Sequence, residues 1–286
     1  MKKITALSLV FLSAHLLIYA QTEVFISEKL EKLWTVQGLN VPESVLPVPE
    51  EGIMYVSNIG TTDPSEKAGK GFISILTMEG KIKKLAWSTG LNSPKGMAIS
   101  NDKLYVSEVD RIAEIELPSG KKLNEYVVEG AKFLNDIAAD EDGNLYISDS
   151  QTNTVHKLSN GVLSVFARSE NFTGPNGVLI FGNALFLGSG NDIVKFDLET
   201  RDTEVYFSNT GGVDGIALID EETVVFSDWP GIIHVMKKNG EKQLIYDSSS
   251  SATSKTADFG YYSDRQLLYL PTFFQNTVIC FRLKLD

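Results

Sequence analysis

The sequence predicts an all-β protein, a six-bladed β-propeller whose last blade is closed by the N-terminal strand, and three observations predict it. First, one unit recurs along the chain. It is plainest at residues 131–150, with a polar pair (Asn135-Asp136), a short apolar strand (Ile137 to Ala139), an Asp/Gly turn (Asp140 to Asn144), a β-rich strand (Leu145 to Ser148) and a polar exit (Asp149-Ser150). Two strands joined by a turn are its reading. The second strand returns as Met54-Tyr55-Val56-Ser57, Leu104-Tyr105-Val106-Ser107, Leu185-Phe186-Leu187-Gly188, Val224-Val225-Phe226-Ser227 and Leu268-Tyr269-Leu270-Pro271. The steps are mostly about 40 residues, a period that signals blades or a solenoid. Second, every copy is β-branched and aromatic without helical periodicity, and each gap leaves room for two more strands, which makes four-stranded blades. Third, the chain ends complement each other. Residues 24–36 precede the first full unit, while the last unit stops at Leu283 one strand short. The N-terminal strand therefore completes the last blade, and closure removes the open sheet edges.

In chain order, residues 1–20 read as a signal peptide. Lys2-Lys3 precede a mostly apolar run from Ile4 to Ile18, broken by Thr5, Ser8, Ser13 and His15, and Tyr19-Ala20 stand before Gln21. That run is short and interrupted for a membrane span of ~20 residues. The expectation is an exported protein, periplasmic or secreted and free of the membrane after cleavage, with residues 21–286 as a single propeller domain. The first blade begins at Pro42-Glu43-Ser44-Val45 and carries the longest insertion, from Asn58 to Gly71. Its Gly-Lys-Gly tail lacks phosphate-loop spacing and leads into a strand rather than a helix. The later blades begin at Ser93-Pro94-Lys95-Gly96, Leu134-Asn135-Asp136, Gly174-Pro175-Asn176-Gly177, Val213-Asp214-Gly215 and Thr256-Ala257-Asp258-Phe259-Gly260. The single cysteine, Cys280, permits no internal disulfide, so stability has to come from packing and closure. The net charge of −11 becomes −13 once the two leader lysines are subtracted. That balance opposes binding to nucleic acid or to anionic lipid and suits a cation.

Meander geometry brings all blade starts to one face, together with the exits of the tyrosine strands. Glu43, Lys95, Asn135, Asn176, Asp214 and Asp258 then surround the axis, with Asn58, Glu108, Asp149, Asn191-Asp192, Asp228-Trp229 and Phe273-Phe274 outside them. Carboxylates and amides without thiolate or clustered imidazole are hard oxygen ligands, which suit Ca²⁺ foremost, with Mg²⁺ or Zn²⁺ as other candidates. The competing explanation is that Asn-Gly, Asp-Gly and Asn-Asp only serve tight backbone turns. Trp229 and Phe273 are candidates for a substrate rim, and aromatic blade packing explains them as well. His156 and His234 fall inside strands away from the blade starts, and no G-x-S-x-G elbow occurs, which argues against a Ser-His-Asp hydrolase. Asn171-Phe172-Thr173 matches a glycosylation sequon.

The series Glu43, Asn135-Asp136, Asn176-Gly177 and Asp214-Gly215 over six repeats resembles the regucalcin/gluconolactonase/luciferin-regenerating-enzyme family across essentially the whole mature chain. The resemblance implies that Glu43, Asn176 and Asp214 bind a catalytic divalent metal, that Asn135 lies beside it, and that Asp214 also serves as acid/base. The chain departs from the family where an arginine often precedes Asn-Asp and reaches a sugar lactone, because Phe133-Leu134 stand there. Ser44-Val45 replace the usual Gly-Pro after the first-blade Glu. The expected function is an exported, metal-dependent hydrolase of a lactone or related ester. Glu43, Asn176 and Asp214 would hold the ion, Asp214 or Asp136 would act as base, and Lys95, Asn135, Asp258, Trp229 and Phe273 would stand near a small-molecule substrate. The alternative is a non-catalytic NHL-like propeller in which the same face grips a ligand or a protein partner.

Overall fold

The computed structural model describes residues 24–169 and 172–285. The expected signal peptide and Asn171 of the sequon lie outside the described residues. Among the described residues six antiparallel sheets form the blades, five of four strands and one of five. The first comprises Pro42–Val48, Ile53–Asn58, Gly71–Thr77 and Ile82–Leu91, and the third Leu134–Ala139, Leu145–Asp149, Thr154–Ser159 and Val162–Arg168. The second strand of each blade, the one by which the repeats align, is buried throughout in Ile53–Asn58, Leu145–Asp149, Ala184–Ser189 and Leu267–Thr272. Apolar on both faces, it packs against two neighbouring blades at once, so it shows no alternation of apolar and polar residues. The fourth strands, such as Lys122–Val127 and Thr203–Ser208, form the mostly exposed rim.

Among the described residues, six apolar clusters fill the clefts between successive blades. One joins Tyr55, Ile73 and Trp87 of the first blade to Leu104, Val106 and Ile115 of the second. The equivalent clusters continue round the ring to the one shared by the last and first blades. Closure occurs as expected: Leu30–Gln37 pairs antiparallel with Thr277–Leu283, from Leu30↔Leu283 to Gln37↔Thr277. Leu30 joins the cleft between the fifth and sixth blades, and Val36 the cleft between the sixth and first. One part of the expected closing segment goes elsewhere. Phe25–Ile26 pairs with Lys242–Asp247 as a fifth strand on the edge of the fifth blade.

Blade starts are clamped by the ends of the tyrosine strands. The hydroxyls of Ser57, Ser148 and Ser227 accept the backbone N–H of Ser44, Asp136 and Gly215 at 2.9, 3.0 and 2.8 Å. In the first and third blades the ladder shifts register between Pro42 and Val45 and between Leu134 and Ile137. Those bulges re-aim Glu43 and Asn135 towards the axis.

Candidate axial site

All six blades contribute to one cavity of about 260 Å³ at the axis, lined by Glu43, Pro64, Lys95, Phe133, Asn135, Ser150, Gly174, Asn176, Asp214, Trp229 and Phe273. Of the expected site residues, Glu43, Lys95, Asn135, Asn176, Asp214, Trp229 and Phe273 meet there. Asp258 does not line it. It accepts a hydrogen bond from the Ser44 hydroxyl and lines the channel that opens at the opposite end of the axis beside Val45, Ala98 and Ile137. Asp136 is buried behind Asn135 and also stays out of the cavity lining.

The glycines after Lys95, Asn176 and Asp214 separate the two explanations of these pairs. Gly96, Gly177 and Gly215 do not have the positive φ of a tight turn. They are needed because the next blade lies against them. A Cβ at Gly177 would stand 2.3 Å from the Asp214 carbonyl oxygen, and one at Gly96 would stand 2.7 Å from Asp136 Cα. Turn geometry therefore does not account for the Asn and Asp that precede them.

Asn176 Nδ2 donates to Asp214 Oδ1 at 2.8 Å, and Asn135 Nδ2 donates to Ser150 Oγ at 3.4 Å. These bonds engage both amide nitrogens. Asn135 Oδ1 and Asn176 Oδ1 are buried without a donor, as are Glu43 Oε2 and Asp136 Oδ1. A buried acceptor without a donor costs about 1–3 kcal/mol, and the three of these residues that line the cavity, Glu43, Asn135 and Asn176, offer their oxygens to a donor or a cation. Among the described residues no three His, Cys, Asp or Glu side chains are grouped as a metal site. The expected ligand set relies on amide oxygens as well as carboxylates, and its free oxygens fit a hard cation.

Charge crowding at the axis is severe. Burial, then the carboxylates of Asp214 and Asp258, push Glu43 well above the usual carboxylate range, with Lys95 offsetting part of the shift. Burial, then Asp258, Asp214 and Glu43, do the same to Asp136. Asp214 is pushed up to about 7 by burial and Asp258, against the hydrogen bond from Asn176. Burial likewise pushes Asp258 up to about 7. Lys95 is 1% exposed, and its ammonium donates to the Ser93 carbonyl at 3.0 Å and lies 4.5 Å from the centre of the Phe133 ring. Burial draws it down to about 8, opposed by Glu43 and Glu108.

The residues expected outside the axis are mainly structural. Asn58 is fully buried and bonded to Asn40, Val56 and Ser74. Asp149 accepts the backbone N–H of Lys132 and Phe133, both at 3.1 Å, and so fixes the segment that delivers Phe133 to the cavity. A wider groove of about 540 Å³ on the flank includes Asp140, Tyr146 and Lys157. Its Asp140 carboxylate is already taken by Asn144 at 2.8 Å and Tyr146 at 3.0 Å. Sequence reasoning missed Pro64, Phe133, Ser150 and Gly174 as cavity residues. The signal for Phe133 was present in the departure from the family pattern at Phe133-Leu134, before Asn135-Asp136.

No family model matches the chain, and no curated protein matches it. Solved structures do. Virginiamycin B lyase from Staphylococcus aureus superposes in its selenomethionine form with a TM-score of 0.61 at 15% identity, over 92% of this chain and 100% of that one. The catalytically inactive form of that enzyme with quinupristin superposes with a TM-score of 0.59 at 15% identity and the same coverage. A chain of a nidogen/laminin complex superposes with a TM-score of 0.61 at 16% identity, over 77% of this chain and 88% of that one. At such identities the likeness establishes a fold shared with the propeller of virginiamycin B lyase, and the axial residues carry the functional argument.

Proposed function

We propose that this protein is an exported hydrolase that opens a lactone or related ester with a divalent cation held on the propeller axis. The observation that carries this reading is the set of donor-less buried oxygens on Glu43, Asn135, Asp136 and Asn176, set among mutually repelling carboxylates at and below the floor of a cavity. Glu43, Asn176 and Asp214 would hold the cation, with Asn135 beside it, in keeping with the resemblance to the regucalcin/gluconolactonase family. All-oxygen ligation favours Ca²⁺. When bound, the cation would polarise the carbonyl and stabilise the negative charge that develops on its oxygen.

The chain's own residues supply the rest. A carboxylate takes one proton from water as the water oxygen bonds to the carbonyl carbon. The ring C–O bond then breaks, and the departing oxygen takes up a proton, giving a hydroxy acid. Asp214 lines the cavity and Asp136 does not, so Asp214 is the base, with Asn176 orienting its carboxylate. Such proton transfer is typically worth ~10²–10⁴ in rate. The superposition on a lyase supports the fold's capacity to host an enzyme.

One observation favours non-catalytic ligand binding instead. Lys95 already places an ammonium beside Glu43 and gives the acid ring a built-in countercharge. A hydrolysis screen over lactones and esters, with Ca²⁺ and with chelator, separates the two. Turnover lost on chelation and restored by Ca²⁺ is expected. Saturating Ca²⁺ binding without turnover of any substrate would assign the site to binding.

A further inference from the structure

Resting on the hydrolase reading, we propose that the substrate is an apolar lactone of about one ring with a short substituent, selected by a wall of Phe133, Trp229, Phe273 and Pro64, and that polyhydroxylated sugar lactones are excluded. The cavity is divided by chemistry. Its polar side chains, Glu43, Lys95, Asn135, Asn176 and Asp214, all come from blade starts, and the wall above them offers aromatic rings, Pro64 and Gly174. The one further polar side chain, Ser150, is engaged: its hydroxyl donates to the Pro175 carbonyl at 2.7 Å and accepts from Asn135. A sugar lactone seated on that floor would bury those of its hydroxyls that face the aromatic wall without a partner, and each unmet group is costly.

Phe133 brings an aromatic ring into that wall. Asp149 pins its backbone N–H at 3.1 Å, so the ring is held in the wall. The Lys95 ammonium lies against the Phe133 ring and donates to the Ser93 carbonyl. Trp229 stands at the mouth. It is 42% exposed although its ring meets Phe273 edge-on, with centroids 4.8 Å apart and planes at 80°. Phe273 is itself buried with Val41, Ile59 and Ala257, which makes a rigid support for an exposed indole. An aromatic held at a cavity mouth offers apolar area at low entropic cost. The volume of about 260 Å³ falls just under the ~300 Å³ at which drug-sized pockets begin. An adjoining void of about 130 Å³ shares Asn176, Asp214 and Trp229 but is lined also by Thr173, Ser189 and Asp228, so the short substituent is placed against the aromatic wall and not in that polar void.

The test compares δ-hexalactone with glucono-δ-lactone, two six-membered lactones that differ in their hydroxyls, on the whole protein in Ca²⁺ and in chelator. Turnover and quenching of Trp229 fluorescence are both read, with Trp229→Phe identifying the signal. The methyl-substituted lactone should be preferred at least tenfold in kcat/KM. Trp229→Ala should cut its kcat/KM about tenfold more than that of the sugar lactone, the scale of one lost apolar contact in a pocket. Preference for glucono-δ-lactone, or an equal loss for both on Trp229→Ala, overturns the proposal. If neither lactone, nor any lactone or ester of the wider screen, is turned over, the hydrolase reading fails separately. Saturable quenching by δ-hexalactone alone then upholds the apolar wall, and quenching by neither or by both overturns it.

Discussion

Replacing Gly177 by alanine reverses sign between two explanations of the Asn-Gly pair. Gly177 lies outside the left-handed region, so alanine meets no conformational penalty. If the glycine were only a flexible turn residue, the change would stabilise the protein by about 0.4–1 kcal/mol through the unfolded chain. The structure requires the opposite. The new Cβ would lie 2.3 Å from the Asp214 carbonyl oxygen and 2.9 and 3.1 Å from the Ile216 side chain, and the closest of these atoms is backbone. Overpacking of that kind costs about 1–3 kcal/mol. At roughly 2–4 °C per kcal/mol for a chain of this size, Tm should fall by several degrees. Asp214 moves with its backbone, so Ca²⁺ affinity should fall as well, although no ligand has been altered. Urea titration and calorimetric Ca²⁺ titration of the same sample measure both. Unchanged or raised stability with unchanged Ca²⁺ affinity would refute the close-approach argument.

Two further predictions follow from the acid ring and from the closure. Glu43, Asp136, Asp214 and Asp258 all titrate above their ordinary range when no cation is present, the latter pair near 7. The folded state therefore holds more protons than the unfolded one between about pH 4 and 7, so the stability of chelated protein should fall as pH rises through that window. Saturating Ca²⁺ should flatten the dependence, and a chelated protein equally stable at pH 5 and pH 8 would contradict the burial of the ring. Deleting residues 24–37 removes the partner of Thr277–Leu283 and takes Leu30 and Val36 from two interblade clusters. Cooperative unfolding by urea should be lost, and a midpoint equal to that of the intact chain would disprove closure by this strand.

The axial residues were legible because a propeller imposes strict phase. Lys95, Asn176 and Asp214 each lie two residues before an inner strand, at Met97, Val178 and Ile216. Glu43 and Asn135 sit inside theirs, at bulges that no periodicity announces. Asp258 has the same spacing from Gly260, yet Ser44 draws its carboxylate below the ring. Spacing alone does not encode depth along the axis. Phe25–Ile26 was misplaced because two residues carry no pattern that distinguishes one edge from its neighbour. Pro64 and Phe133 enter the cavity from loops, whose paths are set by contacts such as Asp149 with Phe133 rather than by repeat phase. The serines closing the tyrosine strands recur visibly, but their work as clamps on the blade starts needed the hydrogen bonds to be seen.

The most direct test of the account is Asp214→Asn, assayed with δ-hexalactone, or with the best lactone of the screen, while bound Ca²⁺ is measured in the same sample. The substitution keeps one carbonyl oxygen for the cation and removes the ability to accept a proton. With Ca²⁺ occupancy matched to the unaltered protein, the rate should fall by about 10²–10⁴-fold. A rate equal to that of the unaltered protein at matched occupancy would contradict Asp214 as the base.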